Sequence, residues 1–120
     1  MYNKFERWIG NILSQELPTD ILAIIFNLYE EENNVWSLEL VGTASFDTDD
    51  DDWACDEMFN TRETPLRWEQ KAIWEEILVN ISSIITKYLE KGQYAEKLKI
   101  YQGVGIGFVD GDINLIYKNS

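Results

Sequence analysis

Ile21-Leu22-Ala23-Ile24-Ile25-Phe26-Asn27-Leu28-Tyr29, then Glu31-Glu32-Asn33-Asn34, then Val35-Trp36-Ser37-Leu38-Glu39-Leu40-Val41-Gly42-Thr43-Ala44-Ser45 form the stretch on which the fold turns. Two apolar, β-branched runs separated by a short polar segment read as a β-hairpin. Side chains alternate across a strand, so Ile24, Phe26 and Leu28 share one face of the first arm, and Trp36, Leu38 and Leu40 share one face of the second. Six large apolar side chains on one side of a strand pair need a cover.

The flanking sequence supplies it. Upstream, Phe5, Trp8, Ile9, Ile12 and Leu13 recur at helical spacing with Lys4, Glu6, Arg7 and Asn11 on the other side, and Pro18 closes the segment. Downstream, the alternation from Trp53 to Phe59 predicts a short third strand, with Glu57 interrupting its apolar face. Thr64-Pro65 supplies a capping hydroxyl and a first-turn proline, and Gly92 supplies a left-handed stop. Between these signals Ile73, Trp74, Ile77, Leu78, Ile81, Ile84, Ile85, Tyr88 and Leu89 form a broad stripe, which predicts a long helix lying across the sheet. A connector with Tyr94 and Leu98 leads to Gly103–Val109 and Asp112–Lys118, which flank Asp110-Gly111, a dipeptide suited to the positive backbone angles of a tight hairpin. The order helix, three strands, long helix, two-strand hairpin predicts an α+β fold. We expect a single domain over residues 1–120, with an antiparallel sheet of about five strands and helices on one face.

Composition narrows the chemistry. The chain has 120 residues, 45% of them hydrophobic, which suffices for a core. Its formal net charge is −12, and that sign repels phosphate backbones and anionic lipid, so neither nucleic acid nor a membrane is an expected ligand. There is no histidine, which excludes Ser-His-Asp, Cys-His and His-metal arrangements. The single cysteine, Cys55, forms no intrachain disulfide and fits a reducing, cytoplasmic setting. Flanked by apolar positions and acidic neighbours that disfavour a thiolate, it reads as an inert packing residue. The charged residues near Met1 and the absence of a long apolar run argue against a signal peptide or a membrane span.

Asp47, Asp49, Asp50, Asp51, Asp52, Asp56 and Glu57 make seven of the eleven residues from 47 to 57 acidic. The plain reading is a solvated turn between strands; the sharper one is a docking surface. Asp47, Asp49 and Asp51 match positions 1, 3 and 5 of a helix-loop-helix calcium site, but positions 6 and 12 carry Asp52 and Met58 instead of glycine and glutamate, so no metal ligand is assigned. Adjacent hydrated aspartates do not supply the raised pKa that acid–base catalysis needs, and no catalytic residue is assigned either. Gly103-Val104-Gly105-Ile106-Gly107-Phe108 lacks a following Lys-Ser or Lys-Thr, so it is not a phosphate loop. Its alternating glycines prepare a strand face for close approach, and the same strand, exposed at an edge, would suit pairing in a homodimer. No cofactor is expected.

Among the five tryptophans, Trp8, Trp36 and Trp74 fall on expected apolar faces, whereas Trp53 abuts the acidic run and Trp68 opens the long helix. An aromatic anchor among carboxylates is the composition of an interface facing a basic partner; the competing reading of Trp53 is a pin that ties the loop to the core. The expected partner-binding residues are therefore Asp47, Asp49, Asp50, Asp51, Asp52, Trp53, Asp56 and Glu57.

The segment Phe46-Asp47-Thr48-Asp49-Asp50-Asp51-Asp52-Trp53-Ala54-Cys55-Asp56-Glu57, the Trp-bearing amphipathic helix and the terminal Gly103–Asp112 stretch together resemble the small immunity proteins of bacterial polymorphic toxin and contact-dependent inhibition systems. The resemblance spans most of the chain in size, acidity and layout, and carries no residue-level motif. It implies a non-enzymatic cytoplasmic protein that binds and neutralises a cognate toxin domain, often a nuclease. The alternative is an adaptor or regulatory domain that turns the same acidic surface to another basic protein. A third reading, a carboxylate enzyme with a bound metal, predicts activity lost on chelation.

Overall fold

The computed structural model describes residues 1–119 as an α+β fold with a mixed, mostly antiparallel six-stranded sheet and its helices on one side. The elements are α1 (Tyr2–Leu13), β1 (Ala23–Glu30), β2 (Val35–Thr43), a short 3₁₀ helix (Asp51–Cys55), β3 (Glu57–Asn60), β4 (Leu66–Glu69), α2 (Trp74–Lys91), α3 (Ala95–Lys99), β5 (Gly103–Phe108) and β6 (Asn114–Lys118).

The first hairpin forms in the register its pattern demands. Phe26 faces Leu40 and Leu28 faces Leu38, which places all six expected side chains on one face, where they are buried. The turn is set by Asn33 and Asn34, both at positive φ (58° and 62°), which asparagine tolerates and which matches the twist of the arms. Phe5, Ile9 and Leu13 of α1, Ile77, Ile81 and Ile85 of α2, and Leu98 of α3 close over that face. Tyr88 meets Phe5 edge-on at 5.8 Å, and its hydroxyl accepts the Tyr94 N–H at 3.1 Å, fixing the α2–α3 corner.

Several expectations give way here. The segment from Trp53 does not run straight into a strand: Asp51–Cys55 winds as 3₁₀ helix, and only Glu57–Asn60 pairs with β2, past a register shift at Gly42/Thr43. Thr64-Pro65 opens no helix. Leu66–Glu69 alternates with period two, burying Leu66 and Trp68 and exposing Arg67 and Glu69, and it pairs with the far half of β2 as β4. The long helix accordingly begins at Trp74, and the start of its expected stripe is left outside: Ile73 is exposed and Trp74 is 51% exposed. Trp68, at 8%, takes the core position instead.

Gly92 ends α2 in extended, not left-handed, backbone. Asp110-Gly111 likewise turns without positive φ, within a five-residue connection between β5 and β6. Cys55 is exposed, not packed, because the 3₁₀ turn points Trp53 inward and the thiol outward.

The sheet order is β3-β2-β1-β5-β6, with β4 beside β3 on the outer side of β2. β5 pairs with β1 in parallel, Phe26 opposite Ile106, since the chain returns through α2 and α3 to the edge of β1 left free by the hairpin. The glycine-rich strand is therefore an interior strand, and β6 is the edge.

Candidate functional site

The face of the sheet turned away from the helices holds both the acidic run and a polar network. Ala23, Ile25 and Val41 project from it as a small apolar island. Trp53, 5% exposed, lies on that island, and Phe46 meets it edge-on with centroids 5.0 Å apart. Phe46 in turn covers Gly103, where any Cβ would collide with its ring. Further along β5 a Cβ on Gly107 would lie 2.5 Å from the Asp112 carbonyl oxygen. The alternate glycines thus make room for the chain's own loops.

Between Phe46 and Trp53 the backbone is held by its own carboxylates. Asp47 Oδ1 accepts the Asp49 N–H at 2.9 Å, and Asp50 Oδ1 accepts the Asp52 N–H at 3.0 Å, capping the 3₁₀ helix. The Ala44 N–H reaches the Asp56 carbonyl at 3.0 Å, closing the base of the loop. The chain between the two rings is therefore a shaped turn, with Asp47, Asp49, Asp50, Asp51, Asp52, Asp56 and Glu57 all exposed. Glu57 is engaged by Arg62 at 2.7 Å, while the six aspartates have no ion-pair partner among the described residues. Of the expected site residues, the seven acids share this loop and its exit, and Trp53 is its internal pin, so the outward-facing surface is made of carboxylates. Among the described residues no three acids or thiols converge as a metal cage would require.

A second group escaped sequence reading. Glu39, at the centre of β2 and 1% exposed, accepts from Asn27 (3.1 Å), Tyr29 (2.7 Å) and Arg62 (3.0 Å). Burial pushes its carboxyl up, but the bonds from Arg62, Tyr29 and Asn27 outweigh that and hold it below its ordinary value. The Tyr29 hydroxyl is pushed up to about 12, by burial first and then by the Glu39 carboxylate it serves. The Arg62 guanidinium is held protonated by Glu39 and Glu57. Beside it Arg67 pairs with Glu31, so both arginines on this face are neutralised by glutamates. One signal did exist: the hairpin register sets Asn27 directly opposite Glu39 on the face away from the core.

At the far end of the sheet is a groove of about 640 Å³. Its floor is Leu28, Leu78 and Phe108, with Phe108 edge-on to both Trp36 (6.1 Å) and Trp74 (5.8 Å). Glu30, Asp110 and Asp112 stand in its wall, which contains no lysine or arginine.

No protein-family model, curated protein or solved structure matches this chain. The class is therefore set by architecture alone: a helix-covered mixed sheet whose opposite face carries a pinned acidic loop. No helix in it is long and apolar enough to cross a membrane.

Proposed function

We propose that this chain is an immunity-type inhibitor, a non-enzymatic protein that binds a basic toxin domain of nuclease character and neutralises it by occupying its phosphate-binding cleft. The observation that supports this reading is the fixed presentation of the acidic loop. Six aspartates without cationic partners among the described residues are held on a capped turn, anchored by Trp53 and Phe46 to the sheet. Like charges crowded at one place repel one another. Holding them there stores a field that a basic cleft relieves, and such a field speeds encounter as well as selecting the partner.

The test is a pull-down at low salt with the tagged protein, eluting with rising salt and identifying the eluate by mass spectrometry, run beside the variant Asp49→Asn/Asp50→Asn/Asp51→Asn/Asp52→Asn. The expected result is one basic toxin-like domain, lost or much reduced with the variant. Equal recovery by both proteins at low salt would overturn the loop as the docking surface. An unrelated basic partner would transfer the same surface to an adaptor role.

A further inference from the structure

We infer that the outer edge of β6 receives an extended segment of a partner protein as a seventh strand, with apolar side chains under α2 and a basic side chain in the groove at Trp74. This rests on the reading of the chain as a binder of a basic protein and adds a second contact on the other side of the sheet.

β6 ends the strand order, so the outward backbone groups of Asn114–Lys118 have no strand partner among the described residues. Sheet edges are usually blunted by charge or brevity. β3 and β4 are each four residues long and carry Glu57, Arg67 or Glu69; β6 reads Asn-Leu-Ile-Tyr-Lys, with its only charge at the end.

Alongside this edge, α2 overhangs the sheet. A trough of about 670 Å³ runs between Val79, Ser82, Thr86, Lys87 and Glu90 of the helix and Ile116 of the strand, Lys87 and Glu90 offsetting one another in charge, and it shares Leu78 and Asn114 with the groove at Trp74. Val79 is exposed there and Ile116 packs against the core beneath the helix, so the space beside β6 has apolar as well as polar walls. A strand added to β6 would lie beneath that overhang and gain both main-chain hydrogen bonds and apolar burial.

The charge of the groove selects the occupant. Glu30, Asp110 and Asp112 line it without a cation, and a half-exposed tryptophan stands over it. An arginine or lysine side chain satisfies the carboxylates through its head and the aromatic faces through its stem. A second copy of this chain would bring the same acidic rim against itself in a molecule of net charge −12.

The experiment uses three synthetic peptides: Arg-Val-Thr-Val-Thr-Val, the same peptide with glutamate first, and the arginine peptide with alternate amides N-methylated to block strand pairing. Binding to the intact protein is followed by heteronuclear NMR. The expected result is saturable binding of the arginine peptide, with shifts at the Trp74 indole and the Asn114–Lys118 amides and slowed exchange of those amides. Binding should be about tenfold weaker or worse for each of the other two peptides and for the Trp74→Ala protein. Trp74 is half-exposed, so an unchanged melting temperature separates a lost contact from lost folding. Binding of the glutamate peptide as tightly as the arginine peptide overturns the charge assignment, and equal binding of the methylated peptide overturns strand addition. No binding, or a dimer by sedimentation that Trp74→Ala dissociates, overturns the partner. The quadruple asparagine variant of the acidic loop should bind the arginine peptide as the parent does, so failure here and failure of the loop reading are told apart.

Discussion

Glu39 shows what one enclosed carboxylate demands of its neighbours. Its three donors come from β1 and from Arg62 beyond β3, and removing the acceptor leaves Asn27 and Tyr29 facing nothing. Glu39→Leu should lower stability by about 1–3 kcal/mol, measured by urea denaturation. The pH dependence has a definite sign. Because the folded carboxyl titrates below its ordinary 4.5, the stabilisation is complete above that pH and is lost as pH falls through the depressed value. Tyr29 gives the opposite limb: its hydroxyl is raised from 10 to about 12, so its contribution is complete below pH 10 and is lost as pH rises toward 12. Glu39→Gln should flatten the acid limb of a plot of stability against pH, and Tyr29→Phe the alkaline one. Asn27 opposite Glu39 was legible from the hairpin pattern, but Arg62 arrives from a turn whose path only the tertiary structure sets.

The elements were legible where periodicity ran long and illegible where it was short. Twelve residues of α1 and the two arms of the hairpin left no room for a second reading. Leu66-Arg67-Trp68-Glu69 is only four residues, and its period-two signal was overridden by the helix-start chemistry of Thr64-Pro65. What decides it is the free half of β2, whose backbone needs a partner. The two tryptophans flanking this boundary consequently exchange roles. Trp68→Ala should cost about 3–5 kcal/mol and Trp74→Ala less than about 1 kcal/mol, both read from thermal or urea melts. The acidic run was legible as an element but its shape was not, because an alternating apolar pattern around Trp53 fits a strand as well as a pinned 3₁₀ turn. Trp53→Ala should release the loop as well as destabilise the fold by about 3 kcal/mol, seen as faster amide exchange over residues 47–56.

For the whole molecule, the two faces of the sheet divide the labour: one buries the core under the helices, and the other presents charge. Neutralising Asp49 to Asp52 should leave the melting temperature unchanged or higher, since like charges are removed, while slowing association with a basic partner and flattening its salt dependence in stopped-flow measurements. The parallel pairing of β1 with β5 has a kinetic side as well. β1 lies at the middle of the sheet, yet one of its edges waits for Gly103–Phe108, so the chain through α2, α3 and β5 must leave the ribosome before the central strand is sealed. Until then a hydrophobic strand edge stands open to neighbouring nascent chains. Refolding should be correspondingly slow for a protein of this length, on the order of milliseconds to seconds, and yield in the cell should depend more on chaperone supply than the stability of the finished fold would suggest.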